Sequence, residues 1–337
     1  MRKLRVEEAV GKKLAHDYSI VTPDRKGAVK KRGEVVKLED VELLKMTGHY
    51  EVYVLDDEPE NSSYIFEDEA VVQLALEAVK GPVSVEPAEE GKGFVKARNS
   101  GLVLVNNKAL SFINSTGSLL LISRRHGSWV KRGDIVAVSE LVPLMVERSW
   151  FHSVISELRA MGPAVELAPP IHPKIGIVVV GNEIVDGLVK DQASPVVVDK
   201  LRQYECYQGD LVYVRDDEEK IASVLEALLE TNDGVILTGG MSVDPTDKTP
   251  SAIRKISDEV VMYGIPFKPT TMSMIAYRRG KPIIGVSSGL IYFPNFNILD
   301  IVLPWVSAGV KIPREYLVEL GNGGLSDYFI QRRLGAR

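Results

Sequence analysis

From residue 175 onward, stretches typical of strands alternate with stretches typical of helices. The continuous apolar run at residues 175–180 fits a strand that is buried on both faces. Helical spacing follows at residues 195–204 and 221–229, and strand-like runs recur at residues 210–214 and 235–237. This alternation predicts an α/β fold with a doubly wound, mostly parallel sheet. In such sheets the ligand binds outside the carboxyl ends of the strands.

The same reading predicts three further elements at the end of this region. They are a helix at residues 251–257, a strand at residues 283–286 and an apolar helix at residues 299–303, which Pro304 is expected to kink or cap.

The chain as a whole is expected to have four parts. They are an N-terminal α+β domain (1–60), a helix plus β-rich domain with a connecting helix (61–165), the α/β domain (166–315) and a short C-terminal tail (316–337). Before residue 166, the spacing predicts helices at 39–47, 66–80 and 151–161, a strand at 50–55, and two short strands around a glycine turn at 29–36. Short strands broken by glycine and asparagine are expected at 83–146, an acidic solvated linker at 56–60, and a stiff proline-rich linker at 163–173.

Charge, cysteine content and hydropathy exclude several classes of protein. A net charge of −5 argues weakly against nucleic acid as a partner. The single cysteine, Cys206, excludes an intrachain disulfide framework and a cysteine-based metal cluster. No apolar run approaches the roughly 18 residues of a membrane helix. The basic start leads straight into Glu7 and Glu8, so no signal peptide is expected and the cytoplasm is the default location.

The segment at residues 235–253 carries the most chemical information. A short buried strand runs into Gly239 and Gly240, which let a ligand approach the main chain. Thr249 and Pro250 then suit the N-cap and first position of a helix, whose free amides would favour an anion. Asp244 and Asp247 would repel a bare phosphate. The segment therefore predicts a phosphorylated ligand handled together with a cation or an oxyanion, although an ordinary strand-to-helix turn would look similar.

Polar residues follow the other predicted strands in the same way. Each one alone is more often a turn or surface residue, but the sheet topology brings them to one rim. A dinucleotide fingerprint and a Walker loop are both absent from the sequence. The candidate ligand-binding residues are Gly181, Asn182, Thr238, Gly239, Gly240, Ser242, Asp244, Thr249, Lys268, Ser287, Ser288 and Gly289, with Glu183 and Asp247 as the candidate acids.

Residues 174–310 resemble the molybdopterin-binding domain that molybdenum cofactor biosynthesis proteins share. The resemblance rests on residues 181–184, on residues 238–250 (TGGMSVDPTDKTP) and on residues 267–269. Residues 5–17 and 26–36 resemble the opening of the molybdopterin molybdotransferase family. The chain is most similar to a clade of free-standing molybdopterin-binding proteins within that family.

This resemblance implies a ligand, a chemistry and partners. Molybdopterin or its adenylylated form would lie across the strand ends, with Mg²⁺ as cofactor and molybdate as a substrate that is inserted as AMP leaves. Glu183 matches the essential acid after the first strand, Asp247 the aspartate of the glycine loop, and Ser242 its hydroxyl. Both acids are thus candidates for catalysis and for holding Mg²⁺ or molybdate. A homodimer and a molybdenum enzyme as recipient are also implied, whereas nucleic acid and membrane are not.

Two departures from the family pattern leave catalysis open. Residues 286–293 replace the family's Pro-Gly-Asn-Pro stretch, and the chain ends at Arg337, before the C-terminal β-domain usual in molybdotransferases. Besides a molybdotransferase-like enzyme, the sequence allows a carrier that binds molybdopterin without chemistry. A nucleotide pyrophosphatase of the competence-damage type is a third alternative, against which the first unit argues. The five histidines lack metal-ligand spacing and are assigned no site.

Overall fold

The computed structural model describes residues 2–22, 25–55, 63–88, 91–241 and 247–335. The chain divides into two compact units. The first comprises Met1–His126 and Val130–Leu167, and the second comprises Gly127–Trp129 and Ala168–Arg337. No described helix is long and apolar enough to span a lipid bilayer.

The first unit begins with short strands around one small helix. Its elements are β1 (Arg2–Arg5), β2 (Tyr18–Thr22), β3 (Arg25–Lys30), α1 (Asp40–Met46) and β4 (Glu51–Val54). β1 pairs with β4 and β2 with β3, both antiparallel. Leu44 of α1 packs with Val52 and Val54 in a small hydrophobic cluster of its own. The predicted helix at 39–47 and strand at 50–55 are confirmed.

One prediction in this part was wrong. The strands expected around a glycine turn at 29–36 do not form one hairpin, because β3 ends at Lys30 and Val35 makes only an isolated bridge with Lys13. The predicted acidic linker at 56–60 lies outside the described residues.

The rest of the first unit packs two small sheets against three helices. Its elements are β5 (Tyr64–Phe66), α2 (Glu67–Ala78), β6 (Val79–Lys80), β7 (Val83–Ala88), β8 (Lys92–Ala97), β9 (Gly101–Val105), α3 (Asn107–Ser115), β10 (Leu119–Ser123), β11 (Trp129–Val130), β12 (Ile135–Leu141), β13 (Met145–Glu147), α4 (Arg148–Met161) and β14 (Val165–Ala168). The sheet orders are β10-β12-β8-β7 and β11-β9-β14-β6, and β13 pairs with β5. Ala70, Val71 and Leu74 of α2 are buried in its core, as the predicted helix at 66–80 requires.

Two elements of this region were not predicted. α3 lies inside the stretch expected to be all strands, and it forms because the Asn106 side chain caps it by accepting from the Ala109 amide while Ile113 is buried. β14 lies inside the expected proline-rich linker, where Val165 and Leu167 are buried and the strand pairs in parallel with β6. In both places tertiary burial outweighs the local turn residues.

The second unit is built on a six-stranded sheet. Its elements are β15 (Lys174–Val180), α5 (Asn182–Val185), α6 (Ala193–Gln203), β16 (Tyr207–Val214), α7 (Glu218–Thr231), β17 (Gly234–Thr238), α8 (Thr249–Ile256), β18 (Glu259–Tyr263), β19 (Ser273–Arg278), β20 (Lys281–Val286), a 3-10 helix (Ser288–Tyr292), α9 (Leu299–Ser307), α10 (Arg314–Glu319) and α11 (Asp327–Leu334). The strand order is β16-β15-β17-β20-β19-β18. The first four strands are parallel and β19 and β18 are antiparallel, so the predicted mostly parallel α/β sheet is confirmed.

Burial explains why the central strands form. Six of the seven residues of β15 and all five of β17 are buried, as expected for strands covered on both faces. Each large apolar side chain buried in this way stabilises the fold by about 1.5–3 kcal/mol.

The last part of this unit consists of α9, α10 and α11, and α9 begins at Leu299 as predicted, with Pro304 inside it and not at its end. α9 continues through Pro304 to Ser307, since most of its side chains are buried and tertiary packing overrides the lost backbone hydrogen bond. The predicted tail at 316–337 contains α11 and all but the first two residues of α10. Phe329 of α11 packs against Phe293 with ring centroids 5.5 Å apart, so α11 contacts the residue that follows the 3-10 helix.

Candidate functional site

A cavity of about 440 Å³ lies at the carboxyl ends of β15 and β17. This is where an open parallel sheet is expected to bind its ligand. Its walls come from the loops after β15, β16, β17 and β20. The lining residues are Val179, Val180, Gly181, Asn182, Glu183, Ile184, Val189, Lys190, Asp191, Gln192, Ala193, Asp216, Thr238, Gly239, Gly240, Asp247, Ser288, Ile291 and Tyr292.

Eight of the fourteen residues proposed from the sequence line this cavity. They are Gly181, Asn182, Glu183, Thr238, Gly239, Gly240, Asp247 and Ser288. The two candidate acids therefore share one cavity, although 64 positions separate them in the chain. Two others, Ser242 and Asp244, lie outside the described residues.

The remaining candidates do not line the cavity. The Lys268 amide donates to the Gly324 carbonyl (2.8 Å), so the backbone of this segment pairs with the predicted tail, and Lys268 is not among the lining residues. The amide of Ser287 donates to the Met272 carbonyl (3.2 Å), and of the residues Ser287, Ser288 and Gly289 only Ser288 lines the wall. Lys268, Ser287 and Gly289 are thus not part of the cavity as it stands.

The two glycines after β17 are required by the backbone. Gly239 has φ +94° and Gly240 has φ +58°, both in the left-handed region. A Cβ on Gly239 would lie 2.0 Å from the Val180 carbonyl oxygen. A Cβ on Gly240 would lie 2.6 Å from Oγ1 of Thr249 and 3.1 Å from Oδ1 of Asp216. Because Gly239 and Gly240 lack side chains, the main chain of this loop can pass close to its neighbours and line the cavity.

Thr249 supports the loop and is not the predicted N-cap. It is the first residue of α8, and the N-cap position belongs to Lys248, which makes no side-chain capping bond. Oγ1 of Thr249 donates to the Gly239 carbonyl oxygen (3.0 Å). The hydroxyl thus ties the glycine loop to the start of α8, whose N-terminal end carries the positive part of the helix dipole.

Replacing Thr249 with valine tests this contact. The substitution keeps the shape of the buried side chain but removes the hydrogen bond, so we expect a loss of about 1 kcal/mol in the free energy of unfolding. Urea denaturation of wild type and variant measures it. Thr231→Val is the control, because the Thr231 hydroxyl, which donates to the Leu228 carbonyl (3.5 Å) and accepts from Nδ2 of Asn232 (3.1 Å), lies away from the cavity. Equal losses in the two variants would contradict the role of Thr249.

Asp216 is a third acid of the cavity that the sequence analysis missed. It follows β16 just as Glu183 follows β15, so the rule of strand carboxyl ends could have found it. Its Oδ1 atom is buried and has no hydrogen-bond partner among the described residues. Its backbone amide donates to Oδ1 of Asn182 (3.3 Å), which joins the loops after β15 and β16.

The surroundings of Asp216 favour the protonated form of its carboxyl group. Burial raises the pKa of Asp216 above its ordinary value, a hydrogen bond from the Lys248 backbone opposes that rise, and the charges of Asp247 and Glu183 add to it. Three carboxyl groups near one another repel, so a cation or a proton is needed between them. Buried carboxyl groups with raised pKa values cluster at functional sites.

Asp191 has a different role. Its Oδ1 accepts from the amides of Ala193 (2.8 Å) and Ser194 (3.1 Å), and the Tyr213 hydroxyl donates to Oδ2 (3.2 Å). The two amide bonds satisfy backbone groups at the start of α6, and the three bonds together use most of the acceptor capacity of the carboxylate. Asp191 therefore shapes the wall and is not counted with the three acids.

The donor set of the cavity fits a cation bound jointly with a ligand. The described part of the chain contains no group of three or more His, Cys, Asp or Glu side chains arranged to hold a metal ion. Mg²⁺ is usually bound by one or two carboxylates together with phosphate oxygens of a substrate. The unpartnered Oδ1 of Asp216 and the carboxylates of Glu183 and Asp247 fit that pattern.

All lining residues of the cavity fall within a part of the chain that matches a known family. Residues 176–292 match the family described as "Probable molybdopterin binding domain", and residues 3–56 match a "Domain of unknown function". A CinA-like protein from Syntrophus aciditrophicus is 28% identical over 156 residues, which cover 41% of this chain and 37% of the relative. A molybdopterin molybdenumtransferase from Staphylococcus epidermidis is 24% identical over 122 residues, which cover 34% of this chain and 29% of the relative.

The matches to these curated relatives thus span 37% and 29% of their length. Among solved structures, the tungsten cofactor synthesizing protein MoaB from Pyrococcus furiosus is 18% identical with a TM-score of 0.34, and the match covers 41% of this chain and 94% of that one.

Proposed function

We propose that the cavity binds molybdopterin, free or adenylylated, and inserts molybdate into it, since residues 176–292 match the family described as "Probable molybdopterin binding domain". The observation that supports this most directly is the convergence of Glu183, Asp216 and Asp247 on one cavity within the matched residues. An acidic cavity beside a glycine loop suits an anionic ligand only when a cation accompanies it.

The chain offers two kinds of contact to such a ligand. Phosphate oxygens can approach the main chain at Gly239 and Gly240, beside the N-terminal end of α8. Glu183 and Asp247 would hold Mg²⁺, which supplies positive charge between the carboxylates and the phosphate groups. Thr238, whose buried Oγ1 has no partner among the described residues, can donate one hydrogen bond to the ligand.

Asp216 has the properties of a proton donor in this reaction. Molybdate must lose oxygen when sulfur atoms of the pterin replace it, and oxygen leaves as water only when protons are supplied. A carboxyl group with a raised pKa retains a proton closer to neutral pH than an ordinary aspartate does. Asp216 would give one proton to the leaving oxygen and regain one from a thiol group, so that the two thiol groups of the pterin supply both protons of the water, while Glu183 and Asp247 would keep the cation in place.

The experiment that tests the function combines binding and turnover. Small molecules that copurify with the native protein are identified by mass spectrometry, and the protein is then mixed with adenylylated molybdopterin, molybdate and Mg²⁺. Release of AMP that depends on molybdate is the expected result. Binding of molybdopterin without AMP release would replace the enzyme with a carrier, and failure to bind any pterin would overturn both.

Asp216→Asn separates the effect of this residue on stability from its effect on activity. Since burial raises the folded-state pKa, the stabilising contribution of the protonated carboxyl is present below its ordinary value of 3.8 and is lost as the pH rises through the folded pKa. At pH 7 we therefore expect the ligand-free variant to melt about 2 °C higher than wild type, with no difference at pH 3. Differential scanning calorimetry at both pH values measures it.

The same variant is expected to lose molybdate-dependent AMP release. Asp217→Asn is unsuitable as a control because Asp217 caps α7. Asp199→Asn, on the exposed face of α6, serves instead. A lower melting temperature for Asp216→Asn at pH 7 would show that the carboxylate stabilises the fold and is not strained for function.

A further inference from the structure

Lys200 of α6 and Asp300 of α9 form an ion pair inside the second unit. Only 3% and 1% of their side chains are exposed, and Nζ of Lys200 lies 2.5 Å from Oδ1 of Asp300. Burying two charges is costly, and an apolar pair of the same size is often at least as stable. The pair is therefore better explained by what it holds in place than by its contribution to stability.

The other hydrogen bonds of the pair fix the loop between the 3-10 helix and α9. Nζ of Lys200 donates to the Asn295 carbonyl oxygen (2.7 Å), and Oδ2 of Asp300 accepts from the Asn297 amide (2.7 Å). Nδ2 of Asn297 in turn donates to the carbonyl oxygen of Phe293 (3.0 Å), the residue after the 3-10 helix. The charges thus satisfy backbone groups at successive points along this loop.

α6 and the 3-10 helix, which the pair connects through this loop, both form walls of the cavity. α6 starts at Ala193, which lines one wall together with Asp191 and Gln192. Lys200 lies two helical turns further along α6. The 3-10 helix contributes Ser288, Ile291 and Tyr292 to another wall. The ion pair is accordingly the internal connection between two walls that are about 100 residues apart in sequence.

We propose that Lys200 and Asp300 are positioning residues that hold the 3-10 helix at a fixed distance from α6 and so keep the cavity preformed for its ligand. The inference rests on the proposed function for the identity of that ligand. A preformed wall spares the binding step the cost of ordering it. Removing the connection should loosen the 3-10 helix and weaken ligand binding, with the sheet left intact.

The test uses the full chain with Lys200→Met and Asp300→Asn combined, which removes both charges and leaves neither unpaired. We expect backbone amides of residues 288–297 to exchange with solvent at least about tenfold faster, with those of β15 and β17 unchanged. The dissociation constant for molybdopterin should rise about tenfold. Tyr204→Phe, which removes only the hydroxyl 2.9 Å from Oδ1 of Asp300, is the milder second variant and should shift both quantities in the same direction.

Leu228→Ala is the control, since Leu228 is buried in α7 and its loss destabilises the unit without touching the network. It should leave the exchange of residues 288–297 and the affinity unchanged relative to the rest of the unit. Wild-type exchange rates in both test variants, or faster exchange with unchanged affinity, would overturn the positioning role. Faster exchange in a protein whose wild type binds no molybdopterin would instead overturn the proposed function alone.

Discussion

Asp247→Asn is expected to lower molybdate-dependent AMP release by about 100-fold or more, and to weaken molybdopterin binding by only a few-fold. The carboxylate lines the cavity together with Glu183, and its negative charge is what would keep a cation next to the ligand phosphates. Asparagine retains the size and one oxygen but not the charge. Single-turnover release of AMP and equilibrium binding of molybdopterin, measured on the same preparations, separate the two effects.

The effect of Mg²⁺ on the melting temperature provides a second measurement for this variant. The wild type should melt at a higher temperature when Mg²⁺ and molybdopterin are added together, and Asp247→Asn should lose most of that rise. Asp199→Asn again serves as the control. AMP release at the wild-type rate by Asp247→Asn would remove this residue from the mechanism, whereas an equal loss of binding and turnover would assign it to binding alone.

Among single methyl groups added to residues of the cavity, the one in Gly239→Ala is expected to cause the largest loss of stability and binding. The added Cβ would lie 2.0 Å from the Val180 carbonyl oxygen. Val180 ends β15 and Gly239 follows β17, the neighbouring strand, so neither backbone can turn aside as a side chain could. The loop must move away from β15, and the strained φ of +94° adds to the cost. We expect a loss of about 2–4 kcal/mol in the free energy of unfolding and no measurable molybdopterin binding.

Gly264→Ala is the matched control for this substitution. Gly264 also has a positive φ, of +75°, but nothing lies within 4 Å of its Cβ position. Only the backbone strain of about 1–2 kcal/mol should appear there, and binding should be unchanged. Urea denaturation and molybdopterin binding of both variants measure the difference. Equal losses would show that the close approach to Val180 is relieved at little cost.

Much of the second unit could be predicted because its signals are local. The apolar runs of β15 and β17 and the helical spacing of α7 each reveal an element without reference to the rest of the chain. The rule that ligands bind at strand carboxyl ends then brought Glu183 and Asp247 together correctly. Asp216 was missed only because the rule was not applied to β16.

The parts that could not be predicted depend on contacts between distant segments. Lys268 was predicted at the rim of the strand ends, and the sequence does not show that its backbone pairs with Gly324. The pairing of Lys200 with Asp300 also joins residues far apart, and neither side chain looks unusual in the sequence. Thr249 was assigned a cap from its position, whereas its hydroxyl bonds back to the loop. The four domain boundaries, the homodimer, the cytoplasmic location and the recipient molybdenum enzyme stay predictions.

The strand order of the second unit bears on how such a site can evolve. From β15 the chain crosses first to β16 on one side and later to β17 on the other, so the connections leaving β15 and β17 diverge. That divergence opens a gap through main-chain topology alone, before any side chain contributes. Acidic residues in these connections can therefore be replaced without loss of the cavity. We expect grafted loops after β15, β16 and β17 to redirect this scaffold to other phosphorylated compounds.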